Sequence, residues 1–171
     1  MMGKFFGKEV QVEEQNIQLV GINEIVKTDE HKSILATRDI KSCIAILLIC
    51  EKEAYMLHIE TLDDNNYKLG LKNLEEMLNN VNSKVIDILM FYGKNKSNTK
   101  LEDLGKTLNT NHIYQAYMDN DNGSIAYDFK TAQLYGVDDD GIFYEYKQGD
   151  DNQKIDPLVA SRNDDNHFTR S

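Results

Sequence analysis

Cys43-Ile-Ala-Ile-Leu-Leu-Ile-Cys50, then the polar interruption Glu51-Lys-Glu-Ala54, then Tyr55-Met-Leu-His-Ile59 reads as a β-hairpin made of two apolar strands. Both runs are apolar along their length, as strands buried on both faces are, and the interruption between them has hairpin length. The register decides what the hairpin can do. With Ala45 opposite His58, Cys43 lies on the same face as His58 and diagonal to it, whereas a slip of one residue puts them on opposite faces. Thr37 precedes the hairpin. A sulfur, an imidazole and a hydroxyl to orient that imidazole are the parts a thiol nucleophile needs.

Outward from the hairpin, Ile17–Ile25 and Ser33–Arg38 read as short strands separated by the polar turn Lys27–Lys32. Leu71, Leu74, Leu78 and Val81 recur at helical spacing, with Lys72, Glu75, Glu76 and Asn79 on the polar side, so this helix packs its apolar stripe on a sheet. Lys84–Tyr92 reads as a mostly buried strand ending at Gly93, and a second helix begins near Thr99 with Leu101, Leu104 and Leu108 on one side. From His112 the chain turns to strands, 112–118, 124–129, 132–135 and 142–146, with antiparallel pairing expected throughout. Asn122-Gly123 and Asp140-Gly141 are turn dipeptides that accept positive φ. The pattern is α+β, with two main helices.

The chain has 171 residues and 40% apolar content, enough for one domain with one core. Twenty-nine acidic against 19 basic residues give a net charge of −10, which repels a phosphate backbone, so nucleic acid is not an expected partner. The start, Met1 to Val10, lacks the apolar stretch and cleavage site of a secretory signal. The longest apolar run is about half of the ~20 residues a membrane helix needs, so no membrane insertion is expected. Cys43 and Cys50 point to opposite faces of one strand, roughly 23 Å apart at ~3.3 Å per residue, and cannot bridge. Free thiols fit a reducing cytoplasm, and Asn95-Lys-Ser97 and Asn122-Gly-Ser124 then read as accidental glycosylation sequons. His31, His112 and His167 have no cysteine or carboxylate at metal-ligand spacing, and no metal site is expected. Asp119–Ser124 resembles the start of a calcium loop, but its glycine is one place early and Lys130 stands where a bidentate glutamate belongs; a hairpin turn is the expected reading.

Residues 17 to 58 resemble the bacterial chemoreceptor glutamine deamidase family, CheD. Val20-Gly-Ile-Asn-Glu24 resembles its first strand, and Thr37-Arg-Asp-Ile-Lys-Ser-Cys43 resembles its Thr-x-Gly-Leu-Gly-Ser-Cys segment, with Thr37, Ser42 and Cys43 matching in place. An apolar strand, a turn and a histidine-bearing strand follow in both. Asp39 and Lys41 stand where the family pattern has glycine, and the family's Arg-Asn near the second helix is absent around Leu101–Gly105. The Cys/His arrangement is also similar to the catalytic domain of the cytotoxic necrotizing factor toxins and to N-terminal asparagine amidohydrolase.

The resemblance implies a layered α/β/β sandwich of mixed and antiparallel sheets, with both helices on one side. It implies a domain over residues 17–147, leaving 1–16 as an N-terminal extension and 148–171 as a polar, loosely held tail. It also implies catalysis without a cofactor, in which Cys43 attacks a carboxamide, His58 moves the protons and Thr37 orients the imidazole. Backbone N–H groups near Ser42 and Cys43 are candidate oxyanion donors, and Lys41 and Ser42 border the substrate. The implied substrate is a protein, either a chemoreceptor or, for a delivered effector, a host protein. Amine in place of water would make the same chemistry a transamidation. Against this stands the bland reading of each residue alone, since buried cysteines and histidines most often serve packing. On that reading the chain is a binding module that keeps the fold.

Overall fold

The computed structural model describes residues 6–93, 98–108, 113–117, 123–146 and 155–157. Its centre is the expected hairpin. Strand β5 (Ile44–Cys50) and strand β6 (Ala54–Ile59) are buried throughout and pair antiparallel with Ala45 opposite His58. A tight turn closes them, Cys50 N–H donating to Glu53 O at 2.9 Å.

Strand β7 (Val85–Tyr92) lies on the other side of β5, antiparallel to it. Strand β8 (Ile113–Tyr117) then pairs parallel with β7. This corrects the expectation of antiparallel pairing for the whole second half. The cause is helix α2 (Asn98–Leu108), which carries the chain back along β7 before β8 begins, as a parallel pair requires. Strands β3 (Ile25–Lys27) and β12 (Ile155–Pro157) complete one sheet in the order β12-β8-β7-β5-β6-β3. Thus three residues of the expected tail form an edge strand.

The second sheet has the order β1-β11-β10-β9-β4-β2. Its members are β1 (Phe6–Val10), β2 (Ile17–Leu19), β4 (Ile34–Thr37), β9 (Ile125–Asp128), β10 (Gln133–Val137) and β11 (Phe143–Tyr146). The segment expected as an N-terminal extension therefore supplies β1, paired with β11. The expected strand over 17–25 is two strands in different sheets. β2 pairs parallel with β4, β3 pairs antiparallel with β6, and the chain crosses between the sheets through a turn at Gly21–Glu24. Asn23 sits there at φ 61°, a left-handed conformation that asparagine tolerates.

Strand alternation sorts the core into layers. Cys43, Ala45, Leu47, Ile49 and Met56 face Leu35, Ile125, Tyr127 and Leu134 of the second sheet. Ile44, Ile46, Leu48, Cys50, Leu57 and Ile59 face the helices. Helix α1 (Asp64–Asn79) covers them with Tyr67, Leu74 and Met77, and α2 adds Leu104 and Leu108. α1 starts well before its leucine stripe because the Asp63 carboxylate caps it, accepting from Asn65 and Asn66 N–H. A third cluster, with Ile34, Ala36, Tyr135, Val137 and Phe143, lies on the far face of the second sheet under Val10, Val12 and Ile17. The architecture is the α+β, α/β/β sandwich, with both helices on one side. The Asn95–Ser97 sequon, Lys94, Lys96, His112, His167, Asp119–Asn122 and most of the tail lie outside the described residues. Among the described residues no helix is long and apolar enough to cross a membrane.

Candidate functional site

The crossing from β2 to β3 determines where polar side chains meet between the sheets. Val20 N–H donates to Ala36 O at 2.8 Å, and Asn23 N–H donates to His58 O at 2.7 Å. This one segment therefore bonds to β4 on one side and β6 on the other. Thr37 is on the inter-sheet side of β4, because it alternates with Ala36 and shares the face of Leu35. His58, opposite Ala45, points into the same space from β6. The two side chains meet there, Thr37 Oγ1 and His58 Nδ1 lying 2.7 Å apart.

The proton positions follow from valence. Thr37 Oγ1 lies 2.7 Å from Val20 O, a carbonyl that can only accept, so the one hydroxyl proton goes there. Thr37 must then accept from His58, which places a proton on Nδ1. The other ring nitrogen, Nε2, carries the lone pair. It is buried and has no hydrogen-bond partner among the described residues. Such an atom costs about 1–3 kcal/mol of stability relative to a satisfied one. Burial, the largest influence, holds the imidazole below its ordinary value, against the smaller upward pull of Asp39 and Glu60. His58 is a neutral base of defined tautomer.

Cys43 lies just before β5, on the inter-sheet face it shares with Ala45 and hence with His58. It is 6% exposed and His58 2%. The thiol is held chiefly by its neighbours in sequence and by the end of β6. The Ser42 side chain and the Thr61 backbone lie near the sulfur and favour the thiolate. Burial outweighs them and pushes the thiol up, with Glu60 and then Asp39 adding to the rise. Both influences favour a neutral thiol and a neutral imidazole over a preformed ion pair. The structure brings Thr37 directly to His58 and places Cys43 on the same face, beside Ser42 and Thr61.

Three features of the loop before Cys43 explain its shape. Asp39, which stands where the resembling pattern has glycine, has φ 60°, a left-handed conformation that aspartate tolerates. Gly93 supplies the close approach from the end of β7, because a Cβ there would sit 2.6 Å from Lys41 Cα and 2.8 Å from Ile40 O. Ile40 is fully buried as the loop's anchor, and its N–H donates to Gly123 O at 3.3 Å. Lys41 itself is exposed, and Ser42 is half-buried with its carbonyl accepting from the Thr61 hydroxyl.

Sequence reasoning did not single out Val20, Thr61 or Glu60. Thr61 is the junction of the site, lying beside the Cys43 thiol and bonding Ser42 O while its own carbonyl accepts from Lys100 Nζ. Lys100 also pairs with Asp64 at 3.2 Å, linking α2 to the start of α1. No motif marks a threonine three residues after a histidine, and Val20 acts through its backbone. Only Glu60, a charge beside the apolar run, left a visible signal. Among the described residues no three side chains of metal-ligating type cluster together. No family model matches this chain, and no curated protein matches it.

Proposed function

We propose that this chain is a cysteine-dependent protein deamidase that converts a glutamine-type side-chain carboxamide to a carboxylate, as the CheD resemblance implies. The observation that carries this reading is the Val20–Thr37–His58 relay, which leaves the Nε2 lone pair of a buried imidazole unpartnered on the face shared with Cys43. His58 Nε2 takes the thiol proton as the sulfur attacks the carboxamide carbon. The tetrahedral adduct collapses, the carbon–nitrogen bond breaks, and the imidazolium returns the proton to the departing ammonia. Water, giving a proton to the same nitrogen, hydrolyses the thioester and restores the thiol. Ser42 and the Thr61 backbone, which favour the thiolate from beside the sulfur, stabilise it as it becomes anionic.

The near-complete cover over Cys43 supports a substrate presented as a slim side chain. Ile22, 59% exposed and bridged to His58, and Leu62, 74% exposed beside Thr61, offer apolar contact for the protein that carries it. A chemoreceptor and a host-cell protein are the two substrate classes under this reading. The same cover favours one alternative, a binding module on this fold in which the thiol is only packing.

Mapping new glutamate sites across a proteome with the wild type against Cys43→Ser tests the proposal. Sites that appear only with wild type, each about one dalton heavier, support deamidation, and their identity distinguishes receptor from effector. A mass gain equal to an added amine supports transamidation. Identical maps from the two proteins overturn the enzymatic reading.

A further inference from the structure

The far side of β4 holds a second feature that the proposed chemistry does not use. A cavity of about 610 Å³ opens on the face of the second sheet turned away from His58; Cys43 and His58 do not line it, while Thr37, at the end of β4, borders it. Its floor is the third apolar cluster, with Val10, Ile17, Ala36, Val137 and Phe143. The chain forms it by passing from β1 at one edge of the sheet to β2 at the other. Residues 11–16 make that passage, and Val12 packs onto the face on the way. The sheet must curl for so short a link to join its edges, and the hollow is the inside of the curl. Its volume is in the range of about 300–1,000 Å³ typical of small-molecule sites.

Among the described residues the rim carries more negative than positive charge. Glu9, Glu14 and Asp140 line it together with a single cation, Arg38. None of the four forms an ion pair with another described residue. Glu9 accepts one hydrogen bond from Gln11. An occupant that fits this rim and floor has an apolar body and a positive head.

We propose that this cavity binds an amphipathic organic amine, its hydrocarbon on Val137 and Phe143 and its ammonium among Glu9, Glu14 and Asp140. Bulk acidity of the chain favours the same sign of ligand, but the apolar floor gives the site its position. Arg38 beside Gly141 makes a carboxylate the opposing candidate, since it would reverse the head group and keep the hydrocarbon.

The test titrates the full chain separately with octylamine, protonated at neutral pH, and with octanoate, below their aggregation limits. Calorimetry and backbone amide NMR follow the binding. The proposal expects saturable binding of octylamine, one per chain, with shifts confined to Ala36, Val137, Gly141 and their neighbours. Octanoate should bind at least about tenfold more weakly. Glu14 and Asp140 are exposed, so Glu14→Gln with Asp140→Asn leaves the core intact and should weaken octylamine about tenfold. Octanoate binding as well as or better than octylamine would assign the site to Arg38 and overturn the proposal. Octylamine affinity unchanged in the double variant, shifts outside the cavity, or no saturable binding would overturn it too.

Discussion

The two faces of the β5–β6 hairpin are equally buried and differently built. Toward the helices it presents only apolar side chains and the Tyr55 ring, and Cys50 there is one more packing group. Toward the second sheet it presents Ala45, Leu47 and Met56 together with Cys43 and His58. The first face is explained by burial alone. The second keeps a ring nitrogen without a partner among the described residues, a cost that packing does not need. Under the proposed reading, the inter-sheet face is where stability is given up for chemistry.

Substitution sharpens this contrast most where it touches the base. His58→Ala should slow deamidation by about 10²–10⁴-fold, the usual worth of a positioned general base, measured as ammonia release on a substrate found by the mapping experiment. Its cost in stability should be less than that of a deletion on the other face. Leu57→Ala, on the helix side, should destabilise the fold by about 2–5 kcal/mol in urea unfolding and leave the chemistry of the surviving folded protein unchanged. If the two substitutions exchange their effects, the assignment of roles to the faces is wrong.

Thr37→Val is the intermediate case. It strands His58 Nδ1–H and Val20 O in a dry interior, for about 1–3 kcal/mol. Activity should fall with it, and Thr37→Ser, which keeps the hydroxyl, should restore most of the loss. Equal activity in the Val and Ser variants would remove the orienting role.

The smallest effect is the pH dependence of stability between about pH 5 and 10, below the range where the raised tyrosines contribute. His58 is held below its ordinary value of ~6.5, so below that pH the unfolded chain takes up a proton the folded one refuses. Stability should therefore fall as pH drops from ~6.5 toward the depressed folded value. Cys43 is pushed up from an ordinary ~8.5, so above that pH the unfolded chain releases a proton the folded one keeps, and stability should fall again. Unfolding midpoints across pH should lose the acid limb in His58→Leu and the alkaline limb in Cys43→Ala. Limbs that persist in those variants belong to other groups.

What was legible in the sequence follows the same division. The hairpin could be read because two apolar runs flank a short polar gap, its register stayed open between the Ala45–His58 pairing and a one-residue slip until the structure gave the former, and the leucine stripes gave both helices. The opposite facing of Cys43 and Cys50 followed from strand period and is what the structure has. The parallel β7–β8 pair was missed because local pattern does not reveal strand direction. The split of 17–25 was missed because Ile17, Leu19, Ile22 and Ile25 look like one strand, although Gly21 and Asn23 marked the turn. Of the site, the residues with reactive side chains were visible, and those acting through backbone were not. Val20 O and the Thr61 backbone carry no residue-type signature, and nothing in the sequence marked the left-handed conformation of Asp39.

The direct test of the account is nitrogen NMR of ¹⁵N-histidine-labelled protein at neutral pH, with His58 assigned by His58→Ala. The relay predicts a neutral ring with its proton on Nδ1, bonded to Thr37, and an unprotonated Nε2. A ring protonated on Nε2 instead, or on both nitrogens, would contradict it, because no lone pair would then be turned to the thiol's side of the sheet.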